Sequence, residues 1–188
     1  LLMIGFFACG FHVAFIGIHL PAYVTDLGLA PQVGAYCLAL IGLFNIAGSF
    51  LSGMVGSRWS KTYGLSWIYF GRALVILGLL LAPKTALTLY VFSALMGLLW
   101  LSTIPLTTGV LSDVFGVRYV ATLYGFVFFG HQVGSFIGVW LGGVFYDRYG
   151  SYDAMWWAGI VVGVLAALIH LPISEKPVSR VATASAIA

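Results

Sequence analysis

The chain has 188 residues, of which 62% are hydrophobic and only 7% charged, eight Lys and Arg against five Asp and Glu. A soluble domain carries about 25% charged residues and about 45–50% apolar ones, so this chain lacks the polar surface that a water-soluble enzyme or a nucleic-acid-binding module needs. Disorder requires low hydrophobicity and is excluded by the same composition, and the net charge of +3 rests on scattered bases rather than on a patch.

Charges punctuate the sequence, and the uncharged runs between them are the candidate elements. Six runs reach the roughly 20 residues that an α-helix needs to cross about 30 Å of hydrocarbon. They predict helices over 1–24, 33–56, 65–82, 86–111, 120–145 and 154–172. The runs are too long, and too uniformly apolar, to be barrel strands. The first run is no signal peptide, having no basic start and too great a length. The chain opens inside an apolar segment without an initiator Met, as expected of a piece whose N-terminal part is missing. Residues 1–173 thus form one bundle, and the small, polar stretch 174–188, containing Pro177, is expected to be a disordered tail. Arg58, Lys61, Arg118, Lys176 and Arg180 fall on one side, and Lys84 and Arg148 on the other. That bias places both termini in the cytoplasm, with a bacterial inner membrane as the expected setting.

Within these spans the polar residues are the informative ones, because each is costly in lipid unless it faces protein or water. On the first helix His12 and His19 are seven apart and share a face, while Cys9 has no metal or redox spacing and is expected to be a small buried residue, as is Cys37 on the second. The second helix carries Asn45 at mid-depth, either a bridge between helices or a solute contact. The third carries Arg72, the one formal charge well inside a span. A central Arg costs about 2.5–3.5 kcal/mol on insertion, so it must snorkel or find a carbonyl, a polar side chain, water, a missing half or an anionic ligand. On the fourth, Ser102, Thr103, Thr107 and Thr108 surround Pro105, a bend whose freed carbonyl the hydroxyls can re-satisfy. The fifth has Gly130, Gly134, Gly138 and Gly142, a small-residue stripe that lets another helix pack closely. It also has His131 and Gln132, with Ser135 on the His131 face, groups able to line a pathway and exchange a proton. His170, at the end of the sixth, is expected to be interfacial. No Asp or Glu falls inside an expected span, which suits an anionic or neutral solute better than a cationic one. No cofactor or metal motif is present in the sequence.

Shifting the chain by 90 residues superposes Asn45 on Ser135, Gly48 on Gly138, Gly53 on Gly143 and Arg58 on Arg148. The offset spans three helices, so the two copies, about 1–82 and 86–173, would run in opposite directions through the membrane. Inverted repeats of this kind are a recurrent device of secondary transporters.

Leu40-Ile-Gly-Leu-Phe-Asn-Ile-Ala-Gly-Ser49, the loop Gly53 to Gly64, Leu111-Ser-Asp-Val-Phe-Gly116, and Gly130-His-Gln-Val-Gly-Ser135 through Tyr146-Asp-Arg-Tyr-Gly-Ser-Tyr152 carry a further signal. Through them the chain resembles the C-terminal six-helix half of a major facilitator superfamily transporter, and is most similar to bacterial monocarboxylate and oxalate/formate-type members. The resemblance implies an all-α membrane fold of twelve helices in two halves, working by alternating access. It implies that the first, second, fourth and fifth helices line the cavity, favouring His12, Asn45, Thr107, His131 and Gln132 and setting Arg72 on a peripheral helix. The family's conformational loop is matched at Gly53, Arg58 and Lys61, but Ser57 stands where its acid belongs and Ser60 where its second glycine belongs. The basic residue of the monocarboxylate group is absent from the second helix.

The expected function is secondary active transport of a small anionic or neutral organic solute, coupled to a proton, with lipid and a missing N-terminal half or a second copy as partners. The alternatives are a channel or assembly subunit and, less favoured, a membrane-embedded metal enzyme, for which the four dispersed histidines supply no cluster.

Overall fold

A computed structural model describes residues 1–178 and contains, in chain order, α1 (Leu2–Asp26), α2 (Pro31–Gly56), α3 (Lys61–Leu81), α4 (Ala86–Leu99), α5 (Thr103–Phe115), a 3-10 turn (Val117–Tyr119), α6 (Val120–Tyr149) and α7 (Asp153–His170). The described residues are otherwise turns and connections, with no strand. Taking α4 with α5, and α6 with the turn before it, six helical stretches are long and apolar enough to cross a membrane.

Local sequence explains the boundaries. Pro31 opens α2 at its first turn, where a missing N–H costs nothing. Ser60 and Thr85 cap α3 and α4, their hydroxyls accepting from Tyr63 N–H (3.4 Å) and Thr88 N–H (3.2 Å). Gly150, at φ +66°, ends α6 in the left-handed conformation that glycine adopts without strain.

The fourth span is not a continuous helix over 86–111. It breaks at Trp100–Ser102, the middle of the stretch Ala86–Phe115. Pro105 has no N–H for the Leu101 carbonyl, four residues earlier. That carbonyl instead takes the Ile104 N–H at 2.9 Å, a tighter turn that restarts the helix as α5.

Packing is dominated by three helix pairs, α1 on α6, α2 on α4 and α3 on α7. Exchanging the first three spans for the last three turns the first pair into the second and leaves the third unchanged. The glycines sit in these seams. A Cβ at Gly130, Gly134 or Gly138 would overlap the carbonyls of Met3, Phe7 or Phe11 of α1, and one at Gly142 would meet the His19 ring. A Cβ at Gly48 would overlap the Leu98 carbonyl of α4. Gly48 and Gly138, 90 residues apart, therefore occupy matching junctions. One end of the core is aromatic, with Phe15, Tyr23, Phe92, Tyr152 and Trp156 in edge-to-face contact.

The segment after α7 meets the start of α3. Glu175 Oε1 accepts the Thr62 N–H (2.9 Å) and the hydroxyls of Thr62 (2.7 Å) and Ser60 at the start of α3, and Val178 N–H donates to Val114 O at 2.9 Å. A carboxylate at a helix N-terminus meets unpaired N–H groups and the positive dipole end. Arg180 and the rest of the expected tail lie outside the described residues.

Candidate functional site

The break in the fourth span exposes backbone groups at bilayer depth, where each must find a partner. Three side chains supply them. Arg72 of α3 donates from Nε and Nη2 to Leu99 O (3.1 and 2.7 Å) and from Nη2 to Trp100 O. Asn45 of α2 accepts the Leu101 N–H at 3.0 Å and the Ser49 hydroxyl at 3.3 Å. Ser102 donates to Leu98 O at 2.6 Å. The broken helix is thus clamped from both neighbouring helices, its carbonyl end by a cation and its amide end by an amide oxygen.

Arg72 is fully buried. Of the partners open to it, it takes backbone carbonyls, and it does not snorkel to the surface. Because α3 begins at Lys61 rather than 65, Arg72 lies about three turns inside it, too deep to reach water. The guanidinium also stands over the Tyr69 ring (5.3 Å to the centroid) and approaches Cys9 Sγ of α1 (Nη2 to Sγ 3.6 Å). Cys9 Sγ in turn lies 3.4 Å from Thr103 Oγ1.

The other residues singled out by sequence fall into two groups. His131 and Gln132 lie on the open face of α6, His131 half-buried and Gln132 exposed. The His131 ring stacks on Phe128 (5.0 Å), and its Nδ1 is 3.3 Å from Gln132 Oε1 and 3.4 Å from Ser135 Oγ. The second group points inward. His12, expected to line the cavity, is buried, and its Nε2 donates to Gly159 O of α7 at 2.8 Å. Thr107, expected beside it, is buried too, and its hydroxyl has no partner among the described residues. His19 donates from Nε2 to Val139 O (3.0 Å) and accepts the Tyr152 hydroxyl at Nδ1 (3.3 Å). His170 is buried rather than interfacial, stacked on Tyr69 (5.0 Å) and donating to Ala166 O (2.7 Å). Gly53 and Arg58 sit at the exposed α2–α3 corner, and Lys61 pairs with Asp113 at 2.6 Å across α3 and α5. Among the described residues no three His, Cys, Asp or Glu side chains come together as a metal site.

Sequence reasoning missed the role of Cys9 and Tyr69 at the break. No spacing announced Tyr69. The break itself had a signal, since Ser102-Thr103 followed by Pro105 has the composition of a helix start.

A span broken at mid-length, close-packed glycine seams and six membrane-length helices define a polytopic helical membrane protein. Residues 2–187 match the Major Facilitator Superfamily, and the chain belongs to that family. It is 31% identical over 182 residues, 94% of this chain and 44% of the relative, to the uncharacterized MFS-type transporter YcxA of Bacillus subtilis (strain 168). It is 29% identical over 140 residues, 73% of this chain and 29% of the relative, to monocarboxylate transporter 12-B of Danio rerio. The aligned chain therefore spans less than half the length of either relative.

Proposed function

We propose that the chain is one six-helix half, two inverted three-helix repeats, of a secondary active transporter. The transporter moves a small organic solute, monocarboxylate-like or neutral, by alternating access. His131, with Gln132, contacts the solute and carries a coupled proton. The observation that carries this reading is the discontinuous fourth span beside α2 and α6. Broken helices at the midplane are where secondary transporters place their sites. His131 is the ionisable side chain there that reaches the open face. The relative named as a monocarboxylate transporter supports the anionic alternative. So does the placement of Asp26, Asp113, Asp147 and Asp153 near helix ends, leaving the described mid-spans without a carboxylate.

The remaining half, N-terminal or a second copy, covers the open faces of α2 and α6. The two termini of this half lie on the cytoplasmic side of a bacterial inner membrane, with Arg58, Lys61, Arg118 and Lys176. The test is uptake by the full-length protein in proteoliposomes. Acetate, lactate and pyruvate are compared with neutral solutes of similar size, with and without an inward proton gradient. Accumulation above equilibrium driven by the gradient, and lost in His131→Ala, is the expected result. Flux that only equilibrates would mean a channel, and gradient-driven uptake unchanged in His131→Ala would remove the role given to that residue.

A further inference from the structure

A groove of about 650 Å³ runs between α2, α3 and the broken fourth span. Leu51 and Val55 of α2, Tyr63 and Trp67 of α3, and Leu98 and Leu106 on either side of the break line it. Along α3 it extends from Ser60 to Ile68, about 12 Å at a rise of about 1.5 Å per residue. That length is most of one leaflet of a hydrocarbon layer about 30 Å thick, and the groove opens at the membrane end of the helix pair.

The wall offers little to a polar solute. The hydroxyl of Ser52 donates to Ser49 O at 2.9 Å and that of Ser102 to Leu98 O at 2.6 Å. Both protons are spent within their own span, so a solute entering here would give up its hydration without return. The rim has a different chemistry. Trp59, Tyr63 and Trp67 are each more than half exposed, and such rings favour the headgroup level, where the body is buried and the polar tip is wet. Arg58, just before Trp59, is exposed and has no acid partner among the described residues. The two acids at this end are engaged elsewhere, Asp113 with Lys61 and Glu175 with Ser60 and Thr62. Bases exceed acids here, with Arg58, Lys61, Arg118 and Lys176 against those two, whereas the opposite end sets Lys84 and Arg148 against Asp26, Asp147 and Asp153.

We propose that this groove binds an anionic phospholipid, one acyl chain lying between α2 and α3 and the phosphate meeting Arg58 at the corner. Basic sites between spanning helices recognise anionic headgroups in this way. The two parts of the lipid answer two separate features of the site. A soluble anion would leave the apolar groove unfilled, and a neutral lipid would leave Arg58 unmatched. The inner end of the groove is formed by Leu98, Leu99 and Ser102, so the bound chain packs against the turn that Arg72 and Asn45 clamp. The site goes beyond the proposed transport, lies away from the His131 face and involves no transported solute.

Quenching of tryptophan fluorescence by brominated lipid tests the site, because bromine must reach the ring. Full-length protein is placed in phosphatidylcholine bilayers containing a minor fraction of phosphatidylglycerol. The bromines are carried on the acyl chains of the phosphatidylglycerol or, at the same content, on an equal fraction of the phosphatidylcholine. The signal of Trp67, which lines the groove, is the difference between wild type and Trp67→Phe. Its quenching should show phosphatidylglycerol associating about fivefold more tightly than phosphatidylcholine, as one base at an anionic headgroup gives. Arg58→Ala should equalise the two lipids, and Arg58→Lys, which keeps the charge, should retain the preference. Equal quenching by both lipids in wild type would overturn the anionic site, as would a preference that survives Arg58→Ala. A Trp67 reached by neither lipid would mean that the other half or a second copy covers the groove, and would overturn the proposal as well. None of these results depends on whether any solute is transported.

Discussion

Arg72 and His12 show how a polar side chain is made tolerable inside a hydrocarbon layer. Each is buried and each binds a backbone carbonyl of a neighbouring helix, Arg72 at the break after α4 and His12 at Gly159 of α7. An unsatisfied buried polar group costs about 1–3 kcal/mol. His12→Ala leaves the Gly159 carbonyl without its partner, and should lower stability in detergent by about that amount. It should leave the pH dependence of uptake unaltered, because the side chain does not reach the open face. His131→Ala should do the reverse, changing the pH profile of uptake with little loss in a thermal melt. Arg72→Ala orphans carbonyls at a broken helix and should cost about 2 kcal/mol or more in the same melt.

At the scale of the element, the seams between helices depend on residues without side chains. The α1–α6 seam brings backbone against backbone at Gly134, where a Cβ would overlap the Phe7 carbonyl. Gly134→Val must push the two helices apart, at a cost of about 1–3 kcal/mol or more, read as a lower melting temperature. Gly125→Ala and Gly143→Ala, on the same helix but with open space beside the added carbon, should instead gain about 0.5–1 kcal/mol from helix propensity. The start of α3 makes a different prediction. Partial burial opposes ionisation of Glu175, but hydrogen bonds from Ser60 and Thr62 outweigh it and bring its carboxyl from an ordinary 4.5 to about 2. A depressed carboxylate contributes stability above its unfolded pKa and loses it as pH falls through the folded one. Glu175→Gln should therefore cost about 1 kcal/mol at neutral pH, a modest figure because water screens the carboxylate. The difference from wild type should shrink as pH is lowered from about 4.5 toward 2 in a pH series of melts.

Over the whole molecule, α2 and α6 are the spans least covered by the rest of the bundle. Ile46 and Phe50 on α2, and Phe126, Phe129 and Phe136 on α6, are each about two-thirds exposed or more. Apolar area on this scale has to meet lipid, a partner half or detergent. Exchange into detergent-free buffer should aggregate the protein, and light scattering would show it; a monodisperse species would contradict the membrane fold.

How much of this was legible beforehand differs from residue to residue. The glycine stripe of α6 could be read because a four-residue spacing places small residues on one helix face whatever the partner. The inward turn of His12 could not, since it depends on how α1 is rotated against α7, 147 residues away at Gly159. Asn45 and Pro105 stood out singly, but nothing along the chain said that the amide would bind the gap that the proline opens. By itself, then, the sequence determined the number of spans, their approximate limits and the class of protein, because hydrocarbon imposes length and polarity on each segment separately. The tertiary structure alone decided that the fourth span breaks beneath Arg72, that Cys9 lies between that arginine and Thr103, and that Glu175 caps α3. Those contacts join side chains from different helices, and their geometry is set by packing rather than by any run of neighbouring residues.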